Sequence, residues 1–513
     1  MTSLDSLPAE TGVLVIGGGP NGFVASILLS MRGIDHVLVE RRPGTQKAPA
    51  AHVIRHRPLE VLSQLGVREE IRAAIAPLSL ENINWCTTLG GPEVGRLDLR
   101  GGRPPADDPL DEAWINLSQS RLEPILANRA QELPPATIAF GIEASEIDQD
   151  DAGVTTTLCD TNGNERTLRS RWVIAADGAG SRTRKRIGIE MEGQGPLANF
   201  MMVHFRADLT PWIDSRPGPL FWIMNPESGG TIIVHDPKQS YVFMTPAFGI
   251  ENEADTMEAR LRQALGPEVD APIEIVSTDA WMPFNQVASR YRERRVFLAG
   301  DAAHRFPPTG GLGLNTGVLD VHNLVWKLAM VDADQAPDAL LDTYEAECRP
   351  AAKRNADTSF QNMLGLASVN QAVGPFDSYA SLCARLKNHD AAEKAALQAA
   401  IDSQFDHFAS DGSYPEVAGA SDEHPTLRGS ADYARFSLIG PDETKGRELA
   451  SALARATKIE VGYEASVANN HARQAWILTR PDGVVVAQRE TPDGSVEAIT
   501  GALSEMLASE LRG

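Results

Sequence analysis

At 513 residues the chain is too long for one hydrophobic core and predicts about two to four domains. Its net charge of −22 argues against nucleic acid and anionic membranes as partners. No apolar run approaches the roughly 18 residues that a membrane span requires. The four cysteines, Cys86, Cys159, Cys348 and Cys383, lie far apart with no CxxC pair, so neither a disulfide framework nor a metal site is expected. Residues 1–10 show no basic and apolar leader, which sets a cytoplasmic location as the expectation.

In chain order, residues 12–16 form a fully apolar strand that runs into Gly17-Gly18-Gly19-Pro20-Asn21-Gly22. Gly17, Gly19 and Gly22 fit G-x-G-x-x-G. A helix follows over 23–32 with Gly33 as its stop, then a strand over 36–39 that ends in Glu40. Glu40 lies 18 residues after Gly22, near the place of the acid that binds ribose hydroxyls in a dinucleotide fold. Strand, glycine turn, helix, strand and acid in register point to nucleotide binding, and the acid suits an unphosphorylated adenosine ribose. Arg41 and Arg42 come next, as ligand contacts or as a solvated loop. The bases of 52–57, Arg55 and Arg57 among them, lead into a helix over 59–65 stopped by Gly66. They suit either a phosphate or cofactor edge, or a solvated helix start.

Residues 76–112 are dense in Pro, Gly and Asp and leave the nucleotide fold as short strands and loops. Leu117 to Arg121, with Gln119, opens a helix through Leu126 and Ala130. Residues 138–172 alternate apolar and polar, with a hairpin turn at 161–164. The strand over 172–175 ends in Ala176-Asp177-Gly178, a second strand-end acid beside small residues. Arg182, Arg184, Lys185 and Arg186 flank it, as a solvated face or an aid to pyrophosphate. Residues 197–285 read as a separate run of strands rich in Trp, Tyr and Phe. His204, His235 and Tyr241 are its polar candidates for a pocket; each alone is more often satisfied structure.

The most informative stretch runs from Arg295 to Gly317. A buried strand over 296–299 meets a Gly300-Asp301 corner, a rigid Pro307-Pro308 loop and the glycines Gly310, Gly311 and Gly313. Asp301 thus sits at a strand's carboxyl end, where open α/β sheets bind ligands. A helix beginning near Leu314 and Asn315 aims its positive end at the same spot. A carboxylate for hydroxyls and a helix N-terminus for negative charge converge there. The helical pattern continues to about residue 366, followed by mixed helix and loop with a polar link at 411–413. The tail reads as βαβ, a hairpin turning at Pro481-Asp482-Gly483, and a last helix.

Taken together, Gly17-x-Gly19-x-x-Gly22, Asp177-Gly178 and Gly300-Asp301 resemble the three-part fingerprint of single-component FAD-dependent aromatic monooxygenases, the p-hydroxybenzoate hydroxylase superfamily. Ala299 to His304, Pro307-Pro308, Gly310 to Gly317 and Asn323 to Leu328 are similar to that family almost throughout. His52-Val53 through Arg57-x-Leu59-Glu60 and the hairpin Arg480-Pro481-Asp482-Gly483 resemble its phenol hydroxylase branch, with Arg55 where the branch often has Asn. The resemblance implies an α/β fold: a Rossmann-like FAD-binding domain (1–75, 113–190 and 286–365) with an inserted β-sheet substrate domain (76–112 and 191–285). A helical linker (366–424) and a thioredoxin-like C-terminal domain without redox cysteines (425–513) complete it.

For FAD, the resemblance implies contacts from Gly17, Gly19, Pro20, Asn21, Gly22, Glu40, Arg41, Arg57, Gln119, Arg121, Asp177, Gly178, Gly300, Asp301, Pro308, Gly311, Gly313, Leu314 and Asn315. Arg55, Arg57, His235, Tyr241 and Pro308 are the candidates for the reaction pocket. NADPH or NADH would bind transiently as electron donor, because no second glycine fingerprint matches another nucleotide domain. The implied reaction is hydroxylation of a phenolic ring with O2 through a flavin C4a-hydroperoxide, by a protein for which a homodimer stays open. The alternatives are a reductase or desaturase of the same fold and a non-catalytic flavin-binding interaction protein. A halogenase would need a W-x-W-x-I-P that the chain lacks.

Overall fold

The computed structural model describes residues 4–247, 253–405, 412, 414, 435–440, 442–465, 476–489 and 496–511. Its organising layer is a parallel sheet ordered Val296–Leu298, Glu165–Ala175, Glu10–Ile16, His36–Glu40, Ala136–Phe140. The interior of the strand Glu10–Ile16 is buried on both faces, which is why it reads as an unbroken apolar run. The chain winds outward from it in both directions, so Glu10–Ile16 and Glu165–Ala175 flank a topological switch point. Ile16 pairs with both Ala175 and Val39, and Ala175 pairs with Leu298. Gly17, Glu40, Ala176 and Ala299 therefore emerge at one level along one edge.

Helices cover the sheet. Pro20–Met31 starts three residues earlier than its apolar pattern, because Gly19 supplies the N-cap and Pro20 fits the first helical turn. It packs on Gln119–Glu132 and on Gly313–Asp332. The latter begins within one residue of the expected start and is buried for most of its length. The predicted strand over 172–175 is the end of an eleven-residue strand, Glu165–Ala175. The turn before it is built on Asp160, whose carboxylate accepts from the N–H groups of Asn162 and Asn164.

A second sheet is ordered Glu274–Trp281, Phe200–Arg206, Ser240–Pro246, Gly230–Asp236, Leu220–Ile223, Asn82–Cys86, Glu93–Asp98. It is antiparallel except where Leu220–Ile223 pairs with Asn82–Cys86. One face packs its own core, including Val203, Phe205, Phe221, Ile232, Val234, Tyr241 and Phe243, under Met257 and Leu261 of the helix Glu253–Leu265. At one end, Ile83, Trp85 and Leu97 pack instead on Val369, Val373, Leu382 and Ile401 of three helices, Asp342–Val373, Tyr379–Asn388 and Ala391–Asp402. The first of these helices runs past the expected end near 366. The link expected at 411–413 falls outside the described residues except at Gly412.

The tail forms a four-stranded sheet, Val461–Ala465, Phe436–Gly440, Trp476–Thr479, Val485–Arg489, with helices Glu443–Thr457 and Val496–Glu510. Its hairpin turn reaches into the first domain. Arg480, with no exposed side chain, donates to both oxygens of Glu347 at 3.0 and 2.9 Å and to Glu510 at 2.8 Å. It also pairs with Asp482, which accepts from Trp326 Nε1 at 3.0 Å. Lys327 pairs with Glu347 at 2.9 Å. Burial alone would raise the Asp482 carboxyl, but the adjoining Arg480 holds it well below the usual range. No helix among the described residues is long and apolar enough to cross a membrane.

Candidate functional site

The site is assembled along the carboxyl edge of the parallel sheet. Gly17 N–H donates to Val39 at 2.8 Å, Ala176 N–H to Ile16 at 2.8 Å, and Ala299 N–H to Ala175 at 3.0 Å. Each motif thus leaves the sheet locked to its neighbour. Gly17 has φ +108°, and a Cβ there would lie 2.3 Å from the Ala176 carbonyl oxygen. A Cβ on Gly22 would lie 1.9 Å from the Gly17 carbonyl oxygen, so that glycine serves helix packing. A Cβ on Gly19 would meet nothing within 4 Å. Gly19 is the position where a ligand can approach the backbone and the N-terminus of the helix Pro20–Met31.

Glu40 is 5% exposed and accepts from Gly18 N–H at 2.6 Å and from Arg42 N–H and Nε at 2.8 and 2.9 Å. Arg42 also donates to Gln46 at 2.6 Å, while Arg41 is exposed. Gln119 donates to buried Glu123 at 2.6 Å, and Glu123 accepts Gln46 N–H at 2.6 Å. Desolvation pushes the Glu123 carboxyl upward. Glu123 was not singled out from the sequence, and Arg42 was, as a ligand contact or part of a solvated loop. The available signal was the i, i+4 spacing of Gln119 and Glu123.

Asp177 caps its own turn, accepting from Ser181 Oγ at 2.5 Å and Thr183 N–H at 3.1 Å. The open space beside Gly178 leaves backbone, rather than that carboxylate, for a ligand. Gly300 donates its N–H to Asp320 at 3.0 Å, and His304 Nε2 lies 2.8 Å from the same carboxylate oxygen. Asn21 wedges between the first and third motifs. A Cβ on Gly300 or on Gly317 would each come within 2.1 Å of its Nδ2. Asp301 keeps solvent-accessible surface, yet desolvation by the atoms packed around it raises its carboxyl pKa.

The Pro308 loop closes the other side. Pro308 is exposed at its tip, and its carbonyl accepts Gly311 N–H at 3.0 Å. Asn315 fastens this loop to the strand Val53–Arg55: its Nδ2 donates to Gly311 and Val53 at 2.5 and 2.9 Å, and its Oδ1 accepts Arg55 N–H at 2.8 Å. Arg55, 2% exposed, donates to the Gly310 carbonyl at 2.6 Å. Gly313, Leu314 and Asn315 form the first helical turn, whose N–H groups have no acceptor within the helix.

Three expectations meet a different geometry. Arg57 turns from the cleft to Glu60 at 3.1 Å and to the Asp482 carbonyl at 2.7 Å, so it ties down the C-terminal hairpin. Arg121 reaches the second sheet, donating to Asp236 at 2.7 Å and to the Ala74 carbonyl at 3.0 Å, instead of lying free for a ring. Tyr241 lies in the sheet's own core and donates its hydroxyl to the Pro237 carbonyl, which gives the expected catalytic role no support. His235 is 4% exposed on the opposite face of that sheet, with its ring centroid 5.1 Å from that of His52.

The donor set fits an elongated dinucleotide. A buried acid stands at the second strand end, an open glycine at a helix N-terminus, a carboxylate on the cleft wall and a second helix N-terminus at the far end. A family model described as an FAD binding domain matches residues 10–359. The chain is 34% identical over 417 residues to the 2,4-dichlorophenol 6-monooxygenase of Delftia acidovorans, covering 77% of this chain and 71% of that one. It is 32% identical over 549 residues to a 4-methyl-5-nitrocatechol 5-monooxygenase of Burkholderia sp, covering 97% and 98%. Among solved structures, the flavin-dependent monooxygenase PieE in complex with FAD and substrate superposes with a TM-score of 0.86 at 28% identity, covering 98% and 99%.

Proposed function

The chain belongs to the FAD-dependent aromatic monooxygenases, and from that premise we propose that its substrate is a phenol, hydroxylated with O2 at the expense of a nicotinamide donor that binds only in passing. The observation that carries the reading is the common level at which three motif-bearing strands end, with the antiparallel sheet's buried His235 in ring contact with His52. FAD, when bound, supplies the acceptance of reducing equivalents and the activation of O2.

The remaining work falls to the chain. Glu40 would take the ribose hydroxyls, and the helix behind Gly19 would take the pyrophosphate. Asp301 would hold the polyol chain. The helix beginning at Gly313 would place about half a positive charge at the cofactor ring, which favours its reduced, anionic form. Arg55 and Asn315 hold the Pro308 loop in place from behind. The antiparallel sheet would close over the ring and exclude water. These residue roles are our assignment.

The reading is tested by incubating the FAD-loaded protein with NADH or NADPH, labelled O2 and a panel of phenol, chlorophenols and catechols. Incorporation of one labelled oxygen atom into a ring is the expected result. Donor oxidation that yields only peroxide, with every phenol recovered unchanged, would reject the phenolic substrate.

A further inference from the structure

The strand Gly230–Asp236 alternates, with Ile232 and Val234 in the sheet's own core and His235 facing the cofactor domain. Neither nitrogen of His235 has a hydrogen-bond partner among the described residues, although both are buried. Buried polar atoms are normally paired, so an imidazole with both nitrogens open calls for a physical reason. Its ring meets His52 edge-on, at 82° between planes.

His52 is itself aimed. Its Nδ1 lies 2.7 Å from Asn116 Oδ1, and Asn116 Nδ2 donates to the Val234 carbonyl at 2.9 Å. An amide oxygen only accepts, so His52 Nδ1 carries the proton and Nε2 keeps its lone pair. The next residue, Val53, packs against Gly311 and accepts from Asn315. The histidine pair therefore stands where the substrate sheet meets the Gly-rich loop and the helix N-terminus. The titratable groups acting on His235 are His52, His204 and Arg121, and Arg121 is itself paired with Asp236. Desolvation first, and then these three neighbours, press its pKa well below the ordinary value, so before substrate arrives the ring is neutral and free to accept. A phenolate formed beside it would be the counter-charge that holds the proton there.

We propose that His235 is the acceptor for the ring hydroxyl of the aromatic substrate, with His52 and Asn116 as the residues that position it. The inference rests on the phenolic reading above. The substrate O–H bond breaks, its electron pair moves into the ring, and the proton forms an N–H bond on His235. The O2-derived oxygen bonds to the ring carbon adjacent to that hydroxyl. The O–O bond breaks as that bond forms, and the carbon's proton passes to the second oxygen atom, which leaves as water. The freed electron pair restores the aromatic ring, and His235 returns its own proton to the phenolic oxygen. The imidazole ends as it began, and the oxidant and reductant are the O2 and nicotinamide donor of the reaction proposed above.

The test is kcat/KM for a series of phenols of falling pKa, from phenol to 4-nitrophenol, in the wild type and in His235→Gln. General-base removal costs about 100-fold or more where the proton must be taken, so phenol should lose about that much. A phenol already ionised at the assay pH should lose no more than about threefold on the same grounds. FAD absorbance reports whether the variant is loaded. Equal losses across the series would overturn the assignment and leave the phenolic reading standing. A wild type that hydroxylates no phenol would overturn both. His52→Asn leaves His235 in place and serves if His235→Gln does not fold. A smaller loss confined to the weakly acidic phenols is expected from it, and a uniform loss would contradict the positioning role.

Discussion

At the residue scale, the cofactor edge works because few side chains can be changed without moving a neighbour. Gly300 has φ +59°, and a Cβ there would strike Asn21 at 2.1 Å. Gly300→Ala should therefore displace the wedge between the first and third motifs and weaken FAD binding at least about tenfold, which is about 1.4 kcal/mol. Flavin titration followed by fluorescence measures it; unchanged affinity would remove the wedge from the assembly. Asp301→Ala tests the polyol contact separately, and a variant that purifies fully yellow would count against it. The histidines give a pH signature. Burial pushes His52 down to about 4, while in the unfolded chain it titrates near 6.5. Between those values the unfolded state binds more protons, so stability should fall as pH drops through that window. His52→Gln should flatten the dependence of the urea midpoint on pH over that range, and an unaltered slope would show that His52 does not titrate as argued.

At the element scale, the turn Arg480-Pro481-Asp482-Gly483 does more than join two strands. It inserts a buried cation between Glu347, Asp482 and Glu510, above the ring of Trp326. Arg480→Met would leave those acids without their counter-charge. Breaking a buried pair from one side costs about 3–5 kcal/mol. Chemical denaturation should show a loss of that order, partly recovered when Glu347→Gln is added; a change within about 0.5 kcal/mol, as for an ordinary surface site, would contradict the network. This is also where sequence reading stops. The strands and turns around Gly17, Gly19, Gly22, Glu40 and Asp301 were legible because strand, turn and helix N-terminus are all encoded within a few residues of each other. Arg57 was not, because its carbonyl partner lies 425 residues further along the chain. The partners of Arg121 and Tyr241 were not legible for the same reason: residue type suggests chemistry, but only tertiary packing decides which face a side chain takes. His235 was legible as a candidate only by type, and its standing rests on His52, which meets its ring, and Asn116, which donates to Val234 beside it.

At the scale of the whole molecule, three stretches separated by more than a hundred residues end on one sheet edge. The three helices pack on the antiparallel sheet, and the C-terminal hairpin ties to Arg57, Trp326 and Glu347. The register Ile16 to Ala175 to Leu298 brings the three stretches out at one level. The most direct measurement is titration of the flavin-free protein with FAD, alongside Gly19→Val, Gly300→Ala and Asp301→Ala. One FAD per chain, with all three substitutions weakening that single binding event, is the expected result. A chain that takes up no FAD, or variants from the first and third motifs that leave its binding unchanged, would contradict it.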